Sequence, residues 1–344
     1  MIERFRLRPD YEISRVIKGG WQLSEGHSGE ISKEPVRDML AFVERGIDTF
    51  DCADIYTGVE KLIGRFVRAN QQSADPLPIK VHTKYVPDYD QLGHLSKAKV
   101  EQIVDRSLQR LGLEQLDMVQ FHWWDYGIPG MLEAATWLEE IRKEGKINLL
   151  STTNFNTENT NALVENGFPM ATVQVQYSLL DPRPEKALIP LCARHGSYLL
   201  CYGTLAGGFL SERWLGIPEP ETLENRSLVK YKLMIEEVGG WEIFQELLKV
   251  LKRIADKHGA TIATIAPRYI LDQPQVGAVI IGSRNADHIE RYASIFQIEL
   301  DTQDQSAIDA IRQQMTLPPE DVFDLERDKT GRHGRIMKYN LNAR

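Results

Sequence analysis

Short β-rich runs alternate with helical patterns along most of this chain, and this alternation constrains the fold more than any other feature. Several of the runs are almost continuously apolar, as expected of parallel strands that are covered on both faces. We predict eight such strands, at residues 14–18, 49–53, 79–84, 118–122, 147–153, 172–177, 198–202 and 277–282. Eight strand–helix units predict an α/β fold of the (β/α)8 type, the TIM barrel.

The segments between the predicted strands carry helix signals. Ser96 is a suitable N-cap for the clearest of them, and Gly145 follows a helix that ends in basic residues. The predicted helices cover residues 33–45, 96–111, 131–143, 157–166, 185–195 and 241–258. An open doubly wound sheet is the rival fold, but no GxGxxG motif follows the first strand, and we therefore favour the barrel.

The chain is longer than a plain barrel, and its excess lies in two segments. Its 344 residues exceed the roughly 250 of a typical barrel, and we expect residues 1–344 to form a single barrel domain with long mouth loops. One extra segment is an insertion at about 211–240, after the seventh strand, where a long loop lies over the barrel mouth. The other is a C-terminal tail at about 317–344, which is either a surface strap or a segment that closes the substrate pocket.

The composition argues against several classes of protein. The chain carries 41 basic and 49 acidic residues, a net charge of −8, which disfavours a general binder of nucleic acid or anionic membranes. Its three cysteines form no CxxC pair and its eight histidines no HExxH motif, so we expect neither a disulfide framework nor a metal site. The polar N-terminus and the lack of a long apolar run lead us to expect a cytoplasmic protein that does not enter a membrane.

Polar residues stand at the ends of the second, third and fourth predicted strands. They are Asp51, Lys84 and His122, and Tyr56 follows Asp51 on the loop beyond the strand. Side chains at the carboxyl ends of barrel strands meet at one mouth, where the chemistry of such barrels takes place. Each residue alone has an ordinary structural explanation, such as helix capping or a charge at the rim. Their occurrence on consecutive strands favours a shared site.

The chemistry of these four side chains is coherent. A lysine ammonium beside a tyrosine stabilises the phenolate and lowers the pKa of the phenol, so we expect Lys84 to tune Tyr56. A carboxylate beyond the lysine, here Asp51, keeps the lysine charged. A neutral histidine can donate a hydrogen bond to a carbonyl oxygen, which is the role we expect of His122. The set suits protonation of an oxygen on which negative charge develops, as in carbonyl reduction.

The chain resembles the aldo-keto reductases over nearly its whole length. The segment DCADIYTGVEKLIG matches the second-strand signature of that family, roughly DTADxYGxxExxxG. The Asp-Tyr-Lys-His set of the family maps onto Asp51, Tyr56, Lys84 and His122. The resemblance implies a nicotinamide cofactor that supplies hydride, with Tyr56 as general acid, Lys84 and Asp51 as its relay, and His122 orienting the carbonyl of a small-molecule substrate.

The resemblance also implies the positions that hold the nicotinamide end of the cofactor. Thr153 and Asn154, in the string STTNF, take the places of the carboxamide-binding serine and asparagine of the family. Gln174 matches a further carboxamide ligand, and Tyr202 matches the aromatic residue that stacks on the nicotinamide. The loop that follows, on the pyrophosphate side, consists of Gly203, Thr204 and Leu205.

The string IIGSRNADHIERY resembles the adenosine-phosphate motif of the family. Gly282, Ser283 and Arg284 have good counterparts there, at a loop that enters a helix. Downstream, the family often has arginine and asparagine where this chain has His288 and Tyr292. This departure weakens the expected preference for a 2′-phosphate, but Arg284 can still supply a charge. We expect NADP(H), with NAD(H) as the alternative, and place His288 in the same site.

Three tryptophans are candidates for the substrate pocket. Trp21 follows the first predicted strand, and Trp123 and Trp124 directly follow His122. We expect one of the three to be a core residue instead. An aromatic wall with few charges suits aldehydes, sugars or small aromatic carbonyls. Cys52 should point away from the mouth into the core, because successive side chains of a strand face opposite sides.

Two other functions remain open at this stage. A regulatory subunit that binds a nicotinamide and turns over little substrate is one, since some relatives of the family act in this way with ion channels. The other is a barrel lyase or isomerase in which Lys84 forms a Schiff base. The sequence does not determine the substrate, the preferred direction of reaction or the oligomeric state.

Overall fold

The protein folds as a closed barrel of eight parallel strands, seen in a computed structural model that describes residues 1–25 and 31–342. The strands are β1 (Arg4–Arg8), β2 (Tyr11–Ser14), β3 (Val16–Gly19), β4 (Thr49–Asp51), β5 (Lys80–Tyr85), β6 (Leu116–Phe121), β7 (Ile147–Thr153), β8 (Met170–Gln176), β9 (Tyr198–Tyr202) and β10 (Val276–Gly282). Strands β3 to β10 neighbour one another in chain order, and β10 closes the barrel on β3. The predicted (β/α)8 barrel is confirmed.

Helices surround the barrel, and several of them were not predicted. The helices are α1 (Pro35–Glu44), α2 (Val59–Gln71), α3 (Lys97–Leu111), α4 (Met131–Lys143), α5 (Thr157–Glu165), α6 (Arg183–Lys186), α7 (Leu188–His195), α8 (Arg226–Glu237), α9 (Trp241–Lys257), α10 (Ile262–Leu271), α11 (Ile289–Ser294), α12 (Thr302–Arg312) and α13 (Asp324–Arg327). The sequence analysis missed α2, α8, α10, α12 and α13. All residues of α10 are buried, so it lacks the polar face that gives a helical period. Within the described ranges, no helix is long and apolar enough to cross a membrane.

A β-hairpin precedes the barrel and was also missed. The strand predicted at 14–18 is divided, because β2 ends at Ser14 and pairs antiparallel with β1, whereas β3 begins at Val16 and enters the barrel. Leu7, Tyr11 and Ile13 of the hairpin pack against residues inside the barrel. The hydroxyl of Tyr11 also lies 3.1 Å from Nε2 of His82. The hairpin therefore closes the end of the barrel opposite the mouth.

The strand register brings polar side chains together inside the upper part of the barrel. Asp51 pairs with His82 across β4 and β5, and Lys84 pairs with Gln120 across β5 and β6. These four side chains are buried. Cys52 is buried in the outer core, as predicted. The barrel thus places an acid and a base at neighbouring strand ends by backbone pairing alone.

Two segments cover the mouth, and we call them together the cover: helix α8, which lies in the predicted insertion, and the tail at 317–342. Asn225 caps α8, its side chain accepting a hydrogen bond from the amide of Leu228. The tail is tied back to the mouth, for example where the amide of Tyr89 donates to the carbonyl of Tyr339, at 3.0 Å. Residues 343 and 344 of the predicted tail lie outside the described residues.

Candidate active site

A cavity of about 680 Å³ lies at the carboxyl ends of the barrel strands, beneath the cover. It runs from the end of β4 to the loop after β10. Nearly every site residue predicted from the sequence lies on its wall: Trp21, Asp51, Tyr56, Lys84, His122, Trp124, Thr153, Asn154, Gln174, Tyr202, Gly203, Thr204, Leu205, Gly282, Ser283, Arg284 and His288. One residue of the predicted set, Trp123, is absent from this wall.

Asp51 and Lys84 form a buried ion pair at the floor of the cavity. The Lys84 ammonium donates to both carboxylate oxygens, at 2.8 and 2.7 Å, and to the carbonyl of Cys52 at 2.8 Å. The amides of Gln120 and Gln174 also donate to Asp51, at 2.9 and 2.6 Å. Burial alone would lower the pKa of Lys84, but the adjacent carboxylate outweighs this effect and raises it. Lys84 therefore stays charged.

Tyr56 stands directly above this pair. The Lys84 ammonium lies 5.2 Å from the centroid of its ring, and the indole of Trp21 packs edge-on at 5.1 Å. Desolvation raises the pKa of Tyr56 above its ordinary value, and the nearby Lys84 charge only partly offsets that rise. Lys84 lowers this pKa as expected, but burial is the larger effect, so the net shift is upward. The phenol keeps its proton at neutral pH.

His122 is neutral, and its tautomer differs from the expected one. Its Nδ1 lies 2.9 Å from the carbonyl oxygen of Thr153. A carbonyl can only accept, so Nδ1 carries the proton and Nε2 carries a lone pair. Desolvation and, next, the charge of Arg327 lower the pKa of His122 to about 3. The expected donation to a substrate carbonyl is therefore not available, because the buried Nε2, which has no partner among the described residues, can only accept.

The two tryptophans that follow His122 face opposite ways. Trp124 packs edge-on against the His122 ring at 4.4 Å, and its indole donates to the carbonyl of Pro87. Trp123 is fully buried, and its indole donates to the carbonyls of Asp125 and Ile128, at 2.9 and 3.2 Å. The assignment of Trp123 to the substrate pocket is thus corrected. Alternation of side chains beyond the strand turns this ring into the core.

The end of the cavity near β7 to β9 has groups that fit a carboxamide. Thr153 lies on the cavity wall, and its buried hydroxyl has no partner among the described residues. Asn154 has a left-handed backbone (φ +60°), and its Oδ1 accepts from the hydroxyl of Tyr202 at 2.9 Å. Gln174 donates one amide hydrogen to Asp51, which leaves its Oε1 and its second amide hydrogen for a ligand. These residues fit the nicotinamide end of a cofactor.

The opposite end of the cavity is formed by the loops after β9 and β10. Gly203 has φ +76°, and a Cβ there would meet the Tyr231 hydroxyl at 2.4 Å, so glycine is required. The carbonyl of Ser283 accepts a hydrogen bond from the buried Lys18 ammonium at 2.7 Å. This bond holds the loop that carries Arg284 and His288 at the wall. The loop offers a basic side chain to an anionic group.

Four residues near the site were missed by the sequence analysis: Gln120, Lys230, Phe323 and Arg327. Gln120 carried a signal, since it precedes His122 by two positions on the same strand and so shares its face. Lys230 of α8 places its ammonium 5.0 Å from the ring centroid of Tyr202. Phe323 packs edge-on against His122 at 5.8 Å. The last three lie in the cover, where no periodic pattern relates a residue to the barrel.

No group of three or more histidine, cysteine, aspartate or glutamate side chains within residues 1–25 and 31–342 is arranged to hold a metal ion.

The chain is similar to known proteins in both sequence and structure. The model of the aldo/keto reductase family matches residues 15–313. The aldo-keto reductase YhdN of Bacillus subtilis is 25% identical over 304 residues, covering 87% of this chain and 90% of that protein. The NADH-specific methylglyoxal reductase of Escherichia coli is 23% identical, covering 86% of this chain and 93% of that protein. The solved structure of a glycerol dehydrogenase from Gluconobacter oxydans is similar with a TM-score of 0.75 at 26% identity, over 92% of this chain and 97% of that chain.

Proposed function

This chain belongs to the aldo/keto reductase family, and on that basis we propose that it is a nicotinamide-dependent oxidoreductase that interconverts a carbonyl and the corresponding alcohol by hydride transfer. The carbonyl is that of an aldehyde, a ketone or a sugar. The observation that carries the proposal is the buried Asp51–Lys84 pair beneath the phenol of Tyr56, on the wall of a deep cavity.

In the direction of reduction, the protein contributes a proton donor beside the substrate oxygen. When bound, the reduced nicotinamide supplies the hydride. The Tyr56 hydroxyl donates to the carbonyl oxygen and passes on its proton as negative charge develops there. Its raised pKa keeps this proton in place until then. The Lys84 ammonium stabilises the phenolate that remains, and Asp51 holds that ammonium in position.

His122 acts on the alcohol form of the substrate in this proposal. His122 lies on the cavity wall and its Nε2 has no partner among the described residues, so we assign to it the hydroxyl hydrogen of an alcohol, since it cannot donate to a carbonyl. After reduction it accepts a hydrogen bond from the newly formed hydroxyl, and before oxidation it binds the hydroxyl of the incoming alcohol until that hydrogen turns to the Tyr56 phenolate. The side chain thus serves both directions without changing its protonation state.

We further propose NADP(H) as the cofactor, with NAD(H) as the alternative. Thr153, Asn154 and Gln174 would hold the carboxamide, and Tyr202 would lie against the nicotinamide ring. Arg284 supports NADP(H), because a guanidinium binds a phosphate through charge-assisted hydrogen bonds. The methylglyoxal reductase relative is NADH-specific, which keeps the alternative open.

The substrate side of the cavity suits a small molecule with an apolar or aromatic portion. Trp21, Ile55, Val86 and Trp124 come from the barrel mouth, and Met337 comes from the tail. Such a wall favours aldehydes, sugars or small aromatic carbonyls over highly charged substrates. The similarity to a methylglyoxal reductase and a glycerol dehydrogenase is consistent with small oxygenated substrates.

The two other functions considered above receive less support. A Schiff-base lysine needs a low pKa, whereas Asp51 raises that of Lys84. A nicotinamide-binding regulatory subunit does not need an acid relay, yet Asp51, Lys84, Tyr56 and His122 stand together on one wall. A steady-state rate on several carbonyls would separate an enzyme from such a subunit.

The direct test is single-turnover hydride transfer to a generic aldehyde by the wild type and by Tyr56→Phe. We expect the variant to be slower by a factor of roughly 10²–10⁴, the usual contribution of a general acid. Running each reaction with NADPH and with NADH also ranks the two cofactors.

Tyr85→Phe provides a matched control for this test. Tyr85 is equally a buried tyrosine next to the reacting strand end, but its hydroxyl is buried without a partner in the outer core. Its loss should leave the rate unchanged. Equal rates for the wild type and Tyr56→Phe would show that the assigned acid is wrong.

A further inference from the structure

Arg327 is the last residue of helix α13 and lies outside the cavity, behind the wall that holds His122 and Asn154. Its guanidinium lies 4.1 Å from the ring centroid of Tyr126 and 5.3 Å from that of Phe323. It does not line the cavity. Any effect on the reaction must therefore pass through other residues.

A single nitrogen of Arg327 joins two strand ends. Its Nη2 donates to the carbonyl of Trp123 at 2.9 Å and to the carbonyl of Asn154 at 2.7 Å. The first carbonyl belongs to the residue directly after His122, and the second to a proposed carboxamide ligand. Asn154 has the left-handed backbone noted above, so the bond to its carbonyl also holds an uncommon conformation in place.

The tail segment that carries Arg327 is itself firmly anchored. The neighbouring Glu326 receives both terminal nitrogens of Arg183, each at 3.1 Å, and Arg183 also contacts Asp181 at 2.8 Å. Arg183 and Glu326 are buried, with side-chain exposures of 2% and 0%. This network fixes helix α13 against the barrel independently of Arg327, so a change at position 327 need not release the tail.

The charge of Arg327 acts on His122. It is the second cause, after desolvation, of the lowered pKa of that histidine. The acidic groups around Arg327 are Asp324 and Glu326 on its own helix and Asp125 on the loop after β6, and the phenol of Tyr126 faces it from the same loop. The carbonyl of Thr153, which accepts from Nδ1, is the contact that opposes the shift in His122.

We propose that Arg327 is a positioning residue for the reaction: by donating to the carbonyls of Trp123 and Asn154 it ties the end of β6 to the end of β7 and holds His122 and Asn154 in place at the cavity. This proposal rests on the role proposed above for His122. It assigns to the C-terminal tail a part in the chemistry that does not depend on contact with the substrate. Helix α13 thereby couples the His122 side of the cavity to its nicotinamide side.

The test compares three variants of the full-length protein: Arg327→Gln, Arg327→Lys and Arg332→Gln. Arg332 is an exposed residue of the same tail that pairs with Glu236 and Glu237, so its loss controls for general weakening of the tail. The readouts are kcat/KM for carbonyl reduction, the affinity for NADPH measured by fluorescence, and the titration of the His122 imidazole measured by NMR. The NMR signal of His122 is assigned as the one that disappears in His122→Asn.

We expect Arg327→Gln to lower kcat/KM by about tenfold or more, because hydrogen bonds from a charged donor contribute on that scale. Its affinity for NADPH should also fall as Asn154 shifts, and His122 should titrate at a higher pH than in the wild type. Arg327→Lys, which restores the charge, should return that titration to low pH and recover part of kcat/KM. Arg332→Gln should change none of the three.

If Arg327→Gln leaves the His122 titration and the NADPH affinity at their wild-type values, the arginine only helps to hold the tail, and the proposal is wrong whatever happens to kcat/KM. A wild type that reduces no carbonyl would instead contradict the proposed function. In that case the NMR and cofactor readouts would still decide the role of Arg327, so the two failures can be told apart.

Discussion

The barrel strand ends and the cover hold their side chains in different ways. At the strand ends, backbone pairing sets the neighbours, as where Lys84 stands beside Gln120. In the cover, side-chain contacts do this work: Asn342 donates to Asp54 and to the carbonyl of Val86, and Tyr339 packs edge-on against Trp124 at 5.1 Å. Under the proposed function, this difference corresponds to two separate roles, in which the barrel would provide the proton chemistry and the cover would provide access and tuning.

The largest expected effect, on both stability and activity, is at the buried ion pair of the strand ends. Removing one partner alone, in Asp51→Asn or Lys84→Met, leaves the other charge buried, which typically destabilises a protein by about 3–5 kcal/mol. The double variant should recover much of that stability, since no unpaired charge remains. All three should lack the proton relay, so activity should not recover with stability.

Urea unfolding and kcat measured on the same samples check this cycle. Recovery of both stability and activity in the double variant would show that the pair is only structural. The proposed assignment of the chemistry to the strand ends would then be wrong. Tyr85→Phe again serves as the control, because it changes a buried residue next to the site without removing a charge.

The strand-end part of the site could be predicted from the sequence, because two simple rules govern it. Side chains alternate along a strand, and parallel strands end at one mouth. These rules led to Asp51, Lys84 and His122. One of the three candidate tryptophans was expected in the core, and applying the alternation beyond the strand end would have identified it as Trp123.

The electrostatics and the cover could not be predicted, and the reason is physical. The net pKa shift of Tyr56 depends on how deeply the phenol is desolvated, which no local pattern reveals. The hydrogen bonds of Arg327 join residues separated by 204 and 173 positions, so they depend on the path of the whole tail. Helix α10 was missed for a related reason, since its buried surface on every side follows from tertiary packing.

A smaller effect is expected from the part of the tail that reaches the substrate side. Tyr339→Ala removes a ring that packs against Trp124 and Tyr89 and should raise KM by about tenfold, the scale of one aromatic contact, with a lesser change in kcat. Tyr339→Phe keeps the ring and loses only the hydroxyl bond to the carbonyl of Gly334, so its KM should stay close to that of the wild type.

Steady-state kinetics with a saturating cofactor checks the prediction for Tyr339. A fall in kcat at constant KM would mean that this part of the cover acts on the chemical step, and the division proposed between the two regions would have to be redrawn.

A pH-dependent effect is expected at Asp54, where the two regions meet. Asp54 follows β4, and its Oδ2 accepts from the amide of Val86 and from the tail residue Asn342. Burial, and next the nearby Glu60, raise the pKa of Asp54 from 3.8 to about 7. Between these values the folded state binds more protons than the unfolded state, so this group makes the free energy of unfolding fall as pH rises.

Asp54→Asn should remove that dependence. Near pH 4 the variant should be close to the wild type in stability, and near pH 8 it should be the more stable of the two, because the wild type must then bury an ionised carboxylate.

Asn342→Ala is the matched control, since it removes the tail contact but keeps the titrating group, and its pH dependence should persist. Urea unfolding at several pH values measures all three. Parallel stability curves for the wild type and Asp54→Asn would show that Asp54 does not titrate in this range, and that the tail meets the strand end without an electrostatic penalty.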